Sequence, residues 1–375
     1  MQRSFAFALV AALSLAAPQA GCAEPVDSLP QLGIEGPVTV SGLSSGAFFA
    51  HQFHIADSDL VEGAAIVAGG PYACASDVPL TLRANPMPQV ATAIAVCTHT
   101  ARDAFGPFAS AIPAAPDADA SVDAVAAAFR EGAVADPGNV ADDRVWLFHG
   151  GEDEIVPEGS MAAVGEVYRA LGVRGDRLGT VRRRDAAHGF PVDEAPDSEF
   201  GAPACGETAR PYLIDCDLDG AGALLSHLLG DLARPVAPVG EHLVTFDQTA
   251  YFDEEDERVS LAAEGFVYVP AACREDGAAC RLHVAFHGCR QGASFVGDDF
   301  VRDAGYNGWA EANGIVVLYP QVEAWTRAAD PTGATANPRG CWDWWGYSGD
   351  DFATRDAPQM RAVRAMAEAL DVTAR

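Results

Sequence analysis

The chain has 375 residues and a hydrophobic content of 49%, enough to bury a large core. Its formal net charge is −29, and all 24 of its fixed cations are arginines. So acidic a surface repels phosphate backbones and excludes nucleic acid as an expected partner; it fits a well-dispersed exported protein but names no substrate.

Residues 1–23 read as an export signal. Arg3 supplies the positive region, residues 5–17 a short apolar stretch, and Gly21-Cys22-Ala23 the small residues for cleavage before Glu24. That stretch is too short to span a membrane, and no second long apolar run follows. Lipidation at Cys22 is the alternative, disfavoured by Gln19 where an aliphatic residue is wanted.

Residues 38–40 are a β-branched run, and residues 47–56 read as a helix. Residues 63–69 look like a fully buried strand, 112–121 a loop and 122–130 a helix. Residues 145–148 form a buried strand, 161–171 an amphipathic helix and 180–184 another strand. Residues 189–210, with several Pro and Gly, read as irregular, and 221–232 as helix. Residues 244–250 and 265–270 alternate as paired strands, 282–286 and 315–319 are buried strands, and 360–370 closes the chain as a helix. Strands alternating with helices predict an α/β fold, a mostly parallel central sheet with helices on both faces. No repeat and no linker to a separate module is visible, so one catalytic domain over residues 24–375 is the expectation.

Nine cysteines are present, and removing Cys22 with the signal leaves eight, an even number that reads as a disulfide set in an exported chain. Connectivity does not follow from sequence alone. Nearness suggests Cys74–Cys97, Cys205–Cys216 and Cys273–Cys280, leaving Cys289–Cys341. No C-x-x-C pair or histidine cluster has metal-ligand spacing, so neither metal nor cofactor is expected.

Gly42-Leu43-Ser44-Ser45-Gly46 sits between a strand and a helix and reads as a serine nucleophile elbow. Glycines flank the serine because the turn is sharp, and bulk on either side would clash. Ser45 is the competing hydroxyl; its amide is better suited to holding an oxyanion. Asp153 follows the 145–148 strand in His149-Gly150-Gly151-Glu152-Asp153, where a carboxylate can orient a histidine; a solvated acidic loop is the plainer reading. His188, in Asp185-Ala186-Ala187-His188-Gly189-Phe190, suits general base and then acid work. His51, His54 and His283 read as structural. His287-Gly288-Cys289 follows a buried strand, and the Cys289 and Ser45 amides could hold a developing oxyanion. In an ordinary α/β-hydrolase the oxyanion loop precedes the elbow; here it comes last, so the fold is expected to be circularly permuted. A Cys289–Cys341 bond would bring Trp342, Trp344 and Trp345 beside the site, either as core packing or as an apolar platform for substrate.

The stretches SGLSSGAFFAHQFHIA, HGGEDEIVP, AAHGF, HVAFHGCRQG and NPRGCWDWWGYSGDDF together resemble the short-chain-length polyhydroxyalkanoate depolymerases with a circularly permuted (type 2) catalytic domain. The resemblance implies a secreted, extracellular or periplasmic, α/β-hydrolase that cleaves poly(3-hydroxybutyrate) or its oligomers. It implies Ser44 as nucleophile, Asp153 and His188 as its partners, Ser45 and Cys289 as oxyanion donors, and a substrate subsite around Trp342. A monomer acting on polyester or hydroxyalkanoate oligomer is the expectation. Many such enzymes that attack solid polymer carry a separate binding domain; without one, the catalytic domain's own surface adsorbs to polymer or the substrate is soluble oligomer. A feruloyl- or acetyl-type esterase on plant cell-wall esters would use the same chemistry. A non-catalytic surface-binding protein is the reading from another class.

Overall fold

The computed structural model describes residues 26, 28–76, 93–98, 112–194, 198–201, 203–253, 256–275, 278–325 and 336–372; the expected export signal and Cys22 lie outside them. The main sheet has eight strands. β1 (Val38–Leu43), β2 (Val61–Val67), β3 (Arg144–Gly150) and β4 (Leu178–Arg183) form one half. After a small parallel pair, β5 (Phe190–Val192) and β6 (Leu213–Asp215), come β7 (Leu243–Asp247), β8 (Glu264–Tyr268), β9 (Arg281–Phe286) and β10 (Ile315–Tyr319). The spatial order is β4-β3-β2-β1-β9-β10-β8-β7. Six neighbouring strands are parallel, and β8 runs against both β10 and β7.

Read from the β7 edge, the order is β7-β8-β10-β9-β1-β2-β3-β4. Counting from β7 makes this 1-2-4-3-5-6-7-8, a nearly consecutive sheet with one swap. On that count the elbow follows the fifth strand, β1, and His287 follows the third, β9. The inverted motif order is therefore a permutation of the chain through an ordinary sheet.

Period-two alternation divides the core between the two faces. Ala65, Val67, Trp146, Phe148, Val317 and Tyr319 face one cluster, which α4 (Gly220–Leu229) and α7 (Tyr306–Asn313) cover. Ala64, Ile66, Val145, Leu147, Val316 and Leu318 face the other, which α1 (Ser45–Ala56), α3 (Glu158–Ala170) and α8 (Pro358–Ala369) cover. α2 (Ala118–Arg130) packs on the first cluster through Val125, and the short α5 (Ala293–Val296) and α6 (Asp299–Asp303) lie between β9 and α7.

Several boundaries move from the sequence reading for local reasons. α2 begins four residues earlier than 122 because the Asp117 side chain accepts from the Asp119 amide at 3.0 Å. α4 ends at Leu229, short of 232, at Gly230 with φ +87°. β5 lies inside the segment read as irregular; a three-residue strand carries too little periodicity to read. Four disulfides form: Cys74–Cys97, Cys205–Cys216, Cys273–Cys280 and Cys289–Cys341. Among the described residues no helix is long and apolar enough to cross a membrane.

Every residue of α1 is buried, its two histidines included. His51 bonds to the Gly70 carbonyl, and burial lowers its pKa to about 3. His54 bridges Tyr168 and Asp143. His283 bonds to the Thr39 and Ser41 hydroxyls at 2.8 Å each, and burial lowers it to about 3 as well. The first two rings pack between α1 and Tyr168 of α3, and the third lies within the sheet on β9.

The start of α1 presses on the end of β9. A Cβ on Gly46 would lie 2.4 Å from the Phe286 carbonyl oxygen and 2.5 Å from that of His287, both main-chain atoms with little room to yield. Gly46→Ala should therefore cost about 1–3 kcal/mol. A lowered urea midpoint with an unchanged slope would show it, and an unchanged midpoint would refute the tight contact.

Candidate active site

Ser44 ends the β1 turn with φ 55° and ψ −121°, a backbone region that costs a side-chain-bearing residue about 1–3 kcal/mol. Hydrogen bonds over-determine it. Its N–H donates to Val67 O at 3.0 Å, and its carbonyl accepts from Ala47 and Phe48 at 2.9 and 3.0 Å. Gly42 is needed on the other flank, because a Cβ there would meet the Gly46 carbonyl 2.2 Å away. Each glycine of the elbow thus makes room for a neighbour, as the sequence reading requires.

The loop after β3 lies against the loop after β4. Gly151 donates to Arg183 O at 2.7 Å and Glu152 to Ala186 O at 2.9 Å. A Cβ on Gly150 would lie 2.3 Å from Ala186 O, so only glycine permits this approach. The contact brings Asp153 Oδ2 to 2.8 Å from His188 Nδ1, with both residues buried. Asp153 Oδ1 accepts from the amides of Ile155 and Val156 at 2.8 and 2.9 Å. Burial pushes the Asp153 carboxyl up, but the facing His188 and the two amides outweigh it and leave the pKa below its ordinary 3.8. The His188 amide donates to Thr208 Oγ1 at 3.0 Å, and Ala187 donates to Cys205 O at 2.7 Å beside the Cys205–Cys216 bond. Among the described residues Ser44 Oγ makes no hydrogen bond, so the Asp153–His188 half is joined while Ser44 stands free.

Ser45 opens α1, where unpaired amides and the helix dipole favour negative charge. Its hydroxyl instead accepts from the Trp342 amide at 3.3 Å. After β9, Gly288 donates to Gln291 Oε1 at 2.7 Å, and Arg290, at φ +60°, donates to Arg339 O at 2.7 Å. Cys289 lies between these anchors and is bonded to Cys341. Among the described residues no acceptor takes the Ser45 or Cys289 amide hydrogen. Both residues line one cleft of about 300 Å³ together with Ser44. Apolar walls come from Phe48, Ile155, Val156, Trp344 and Trp345.

The three tryptophans divide. Trp344 stacks on Phe48 with ring centres 4.2 Å apart, and Trp345 meets Trp344 edge-on at 5.5 Å; both line the cleft. Trp342 is fully buried between Phe49 and Phe286 and does not line it. The expectation of substrate contact at Trp342 is therefore corrected: Trp344 and Trp345, two and three residues on, line the cleft while Trp342 fills the core. The sequence reading also passed over Asp343. Its buried carboxylate accepts from the amides of Trp345, Gly346, Tyr347 and Ser348 and from the Ser348 hydroxyl. Burial pushes its pKa up, while the Ser348 and neighbouring bonds favour the anion. An Asp followed by Gly and Ser within five residues was the available signal, since such spacing lets one carboxylate collect consecutive amides. Among the described residues no group of His, Cys, Asp and Glu could hold a metal.

Two outcomes follow from these carboxylates. Asp343→Asn replaces an acceptor facing five donors with a partial donor and should cost about 1–3 kcal/mol; a tryptophan emission spectrum and melting curve like those of the parent would refute the anchoring. Asp153, with its folded pKa depressed, contributes stability that is present above its unfolded value of 3.8 and is lost as pH falls through the folded one. The stability gap between the parent and Asp153→Asn, measured by denaturant titration, should be full at pH 7 and shrink toward pH 3. A gap that stays constant over that interval would contradict the depressed pKa.

No protein-family model matches the chain. The chain is 33% identical over 374 residues to a poly(3-hydroxybutyrate) depolymerase of Delftia acidovorans, covering 98% of itself and 66% of that protein. It is 30% identical over 346 residues to a polyhydroxybutyrate depolymerase of Talaromyces funiculosus, covering 90% of each. Among solved structures, the PHB depolymerase from Penicillium funiculosum superimposes with a TM-score of 0.74 at 26% identity, over 93% of this chain and 98% of that one. A serine-to-alanine variant of a PHB depolymerase complexed with an R3HB trimer superimposes with a TM-score of 0.73 over the same shares. Agreement over nine-tenths of both sequence and fold places the chain in the polyhydroxybutyrate depolymerase family, hydrolases of the polymer's ester bonds.

Proposed function

We propose that this chain hydrolyses poly(3-hydroxybutyrate) or its oligomers through an acyl-enzyme, with Ser44 as nucleophile, His188 as base and acid, and Asp153 as the orienting carboxylate. The observation that carries the reading is the buried 2.8 Å Asp153–His188 hydrogen bond in a fold whose elbow presents a strained serine to an apolar cleft. Asp153 accepts a hydrogen bond from the His188 Nδ1–H and so fixes the tautomer in which Nε2 keeps the lone pair a base needs. Ser44 Oγ bonds to the ester carbonyl carbon as His188 takes its proton. The carbonyl oxygen becomes an oxyanion held by the Ser45 and Cys289 amides, each donor worth about 3–4 kcal/mol. As the C–O bond breaks, His188 gives the proton to the departing alkoxide oxygen, which leaves as a hydroxyl. Water then attacks the acyl-serine by the same route, releasing a carboxylic acid and Ser44.

The apolar walls suit a polyester backbone, whose methyl groups and methylenes carry no charge; Trp344 and Trp345 provide the flat surface. The same reading takes residues 1–23 as an export signal, residues 24–375 as one catalytic domain, and the protein as a secreted monomer. The four disulfides support export, since an oxidising compartment forms and keeps them.

Release of hydroxybutyrate from amorphous polymer granules and from soluble oligomers, parent beside Ser44→Ala, tests the proposal. The variant should lose activity by about 10⁴-fold or more while melting at the parent's temperature. Residual activity within tenfold of the parent would remove Ser44 from its role. A parent that released no hydroxybutyrate but freed ferulate from cell-wall esters would move the substrate to that class.

A further inference from the structure

Among the described residues lining the cleft, Arg339 is the one charged side chain, and no carboxylate faces it there. The rest of the lining is apolar or neutral: Ser44, Ser45, Thr98 and Asn337 supply the hydroxyls and amide. This composition is unexpected in a chain with 53 acidic residues and a net charge of −29. Arg339 is exposed and forms no ion pair among the described residues. Its backbone is fixed: Arg339 O accepts from Arg290 N at 2.7 Å, the Asn337 main chain pairs with Trp325 on one side, and the Cys289–Cys341 bond holds the segment on the other. Anchored main chain beneath a free guanidinium makes a cation stationed at the cleft rim.

We propose that Arg339 is a specificity-determining residue that binds the terminal carboxylate of a hydroxyalkanoate oligomer. The inference rests on the polyester reading of the cleft given above. A neutral polymer interior offers a guanidinium only ester carbonyls, whereas the cut chain ends in a carboxylate that a planar fork can grip by two hydrogen bonds. Elsewhere the field of so acidic a protein repels such an end, so Arg339, the one cation among the described residues lining the cleft, is where it settles. Polarity then follows from the chemistry. Ser44 keeps the acyl portion, which carries the chain's hydroxyl end, and the departing alcohol portion carries its carboxylate end. Arg339 therefore marks the leaving-group side of the cleft and favours short acid products cut from carboxylate ends.

The experiment compares hydrolysis of the free-acid (R)-3-hydroxybutyrate trimer with that of its methyl ester at pH 7, for the parent, Arg339→Gln and Arg339→Lys. The parent should favour the free acid about three- to tenfold in kcat/KM, the difference lying in KM, as fits a partly exposed charge-assisted contact. The ratio should fall to near one in Arg339→Gln, lie between in Arg339→Lys, and collapse for the parent at about 1 M salt, where the Debye length is ~3 Å. A merely structural arginine would alter both substrates alike and leave the ratio and its salt dependence untouched. A parent ratio near one, or a ratio unchanged by Arg339→Gln, overturns the role of Arg339 while leaving the hydrolase reading intact. Failure of the parent to cleave either trimer overturns the polyester reading and this inference with it.

Discussion

The structure turns on one close approach, where the first turn of α1 meets the ends of β1 and β9. Gly42 and Gly46 are pinched against each other, and Gly46 is pinched again against the Phe286 and His287 carbonyls. Main chain meets main chain there, so no side chain can flex to absorb an added atom. That contact sets Ser44 at φ 55° and brings the start of α1 beside the loop after β9. The two proposed oxyanion donors, Ser45 and Cys289, come one from each side of it. Strain in one residue and the placing of two amides are thus a single constraint, and the fully buried α1 supplies the packing that sustains it.

A second layer of restraint acts on the loops, which otherwise have few backbone partners. The Asp153 and His188 loops are tied by main-chain bonds across Gly150 and Gly151. The tryptophan loop is tied from three directions: Asp343 gathers its amides, Gln52 of α1 donates to the Asp343 carbonyl at 3.1 Å, and Asn337 spans both main-chain groups of Cys341. The Cys289–Cys341 bond then links this loop to the one after β9. The tryptophan wall and the proposed oxyanion donors are therefore tied to the same helix and to each other.

The motif order, the buried strands and the glycine-flanked serine were legible because each is a local pattern with one physical cause. Hydrophobic runs such as 282–286 and 315–319 have no solvent face, so their burial shows directly in composition. Disulfide partners were legible by nearness because three of the four loops are short, with separations of 23, 11 and 7 residues. What escaped depends on phase and distance. Trp342, Trp344 and Trp345 are alike as residues, and only the course of the loop decides that the first is core and the others wall. Thr208, which holds the His188 amide, lies 20 residues away with no motif to mark it. Arg339 stood inside a recognised stretch, but that no carboxylate accompanies it among the described lining residues appears only once the cleft is assembled.

Permutation leaves all of this intact because the sheet, and not chain order, carries the geometry. The strands flanking the elbow, β2 and β9, are parallel to β1 and in register with it, although one follows it closely and the other comes more than 230 residues later. A parallel pair needs a crossover of about a dozen residues or more but sets no upper limit on it. Val38 to Gly42 of β1 pair with Leu282 to Phe286 of β9, so the two loops that would share an oxyanion leave adjacent strands at the same level. Moving the break in the chain elsewhere changes which half is made first; it does not move Ser44 relative to Cys289. The Cys289–Cys341 bond and the paired strands restore the long-range connections that chain order alone does not provide.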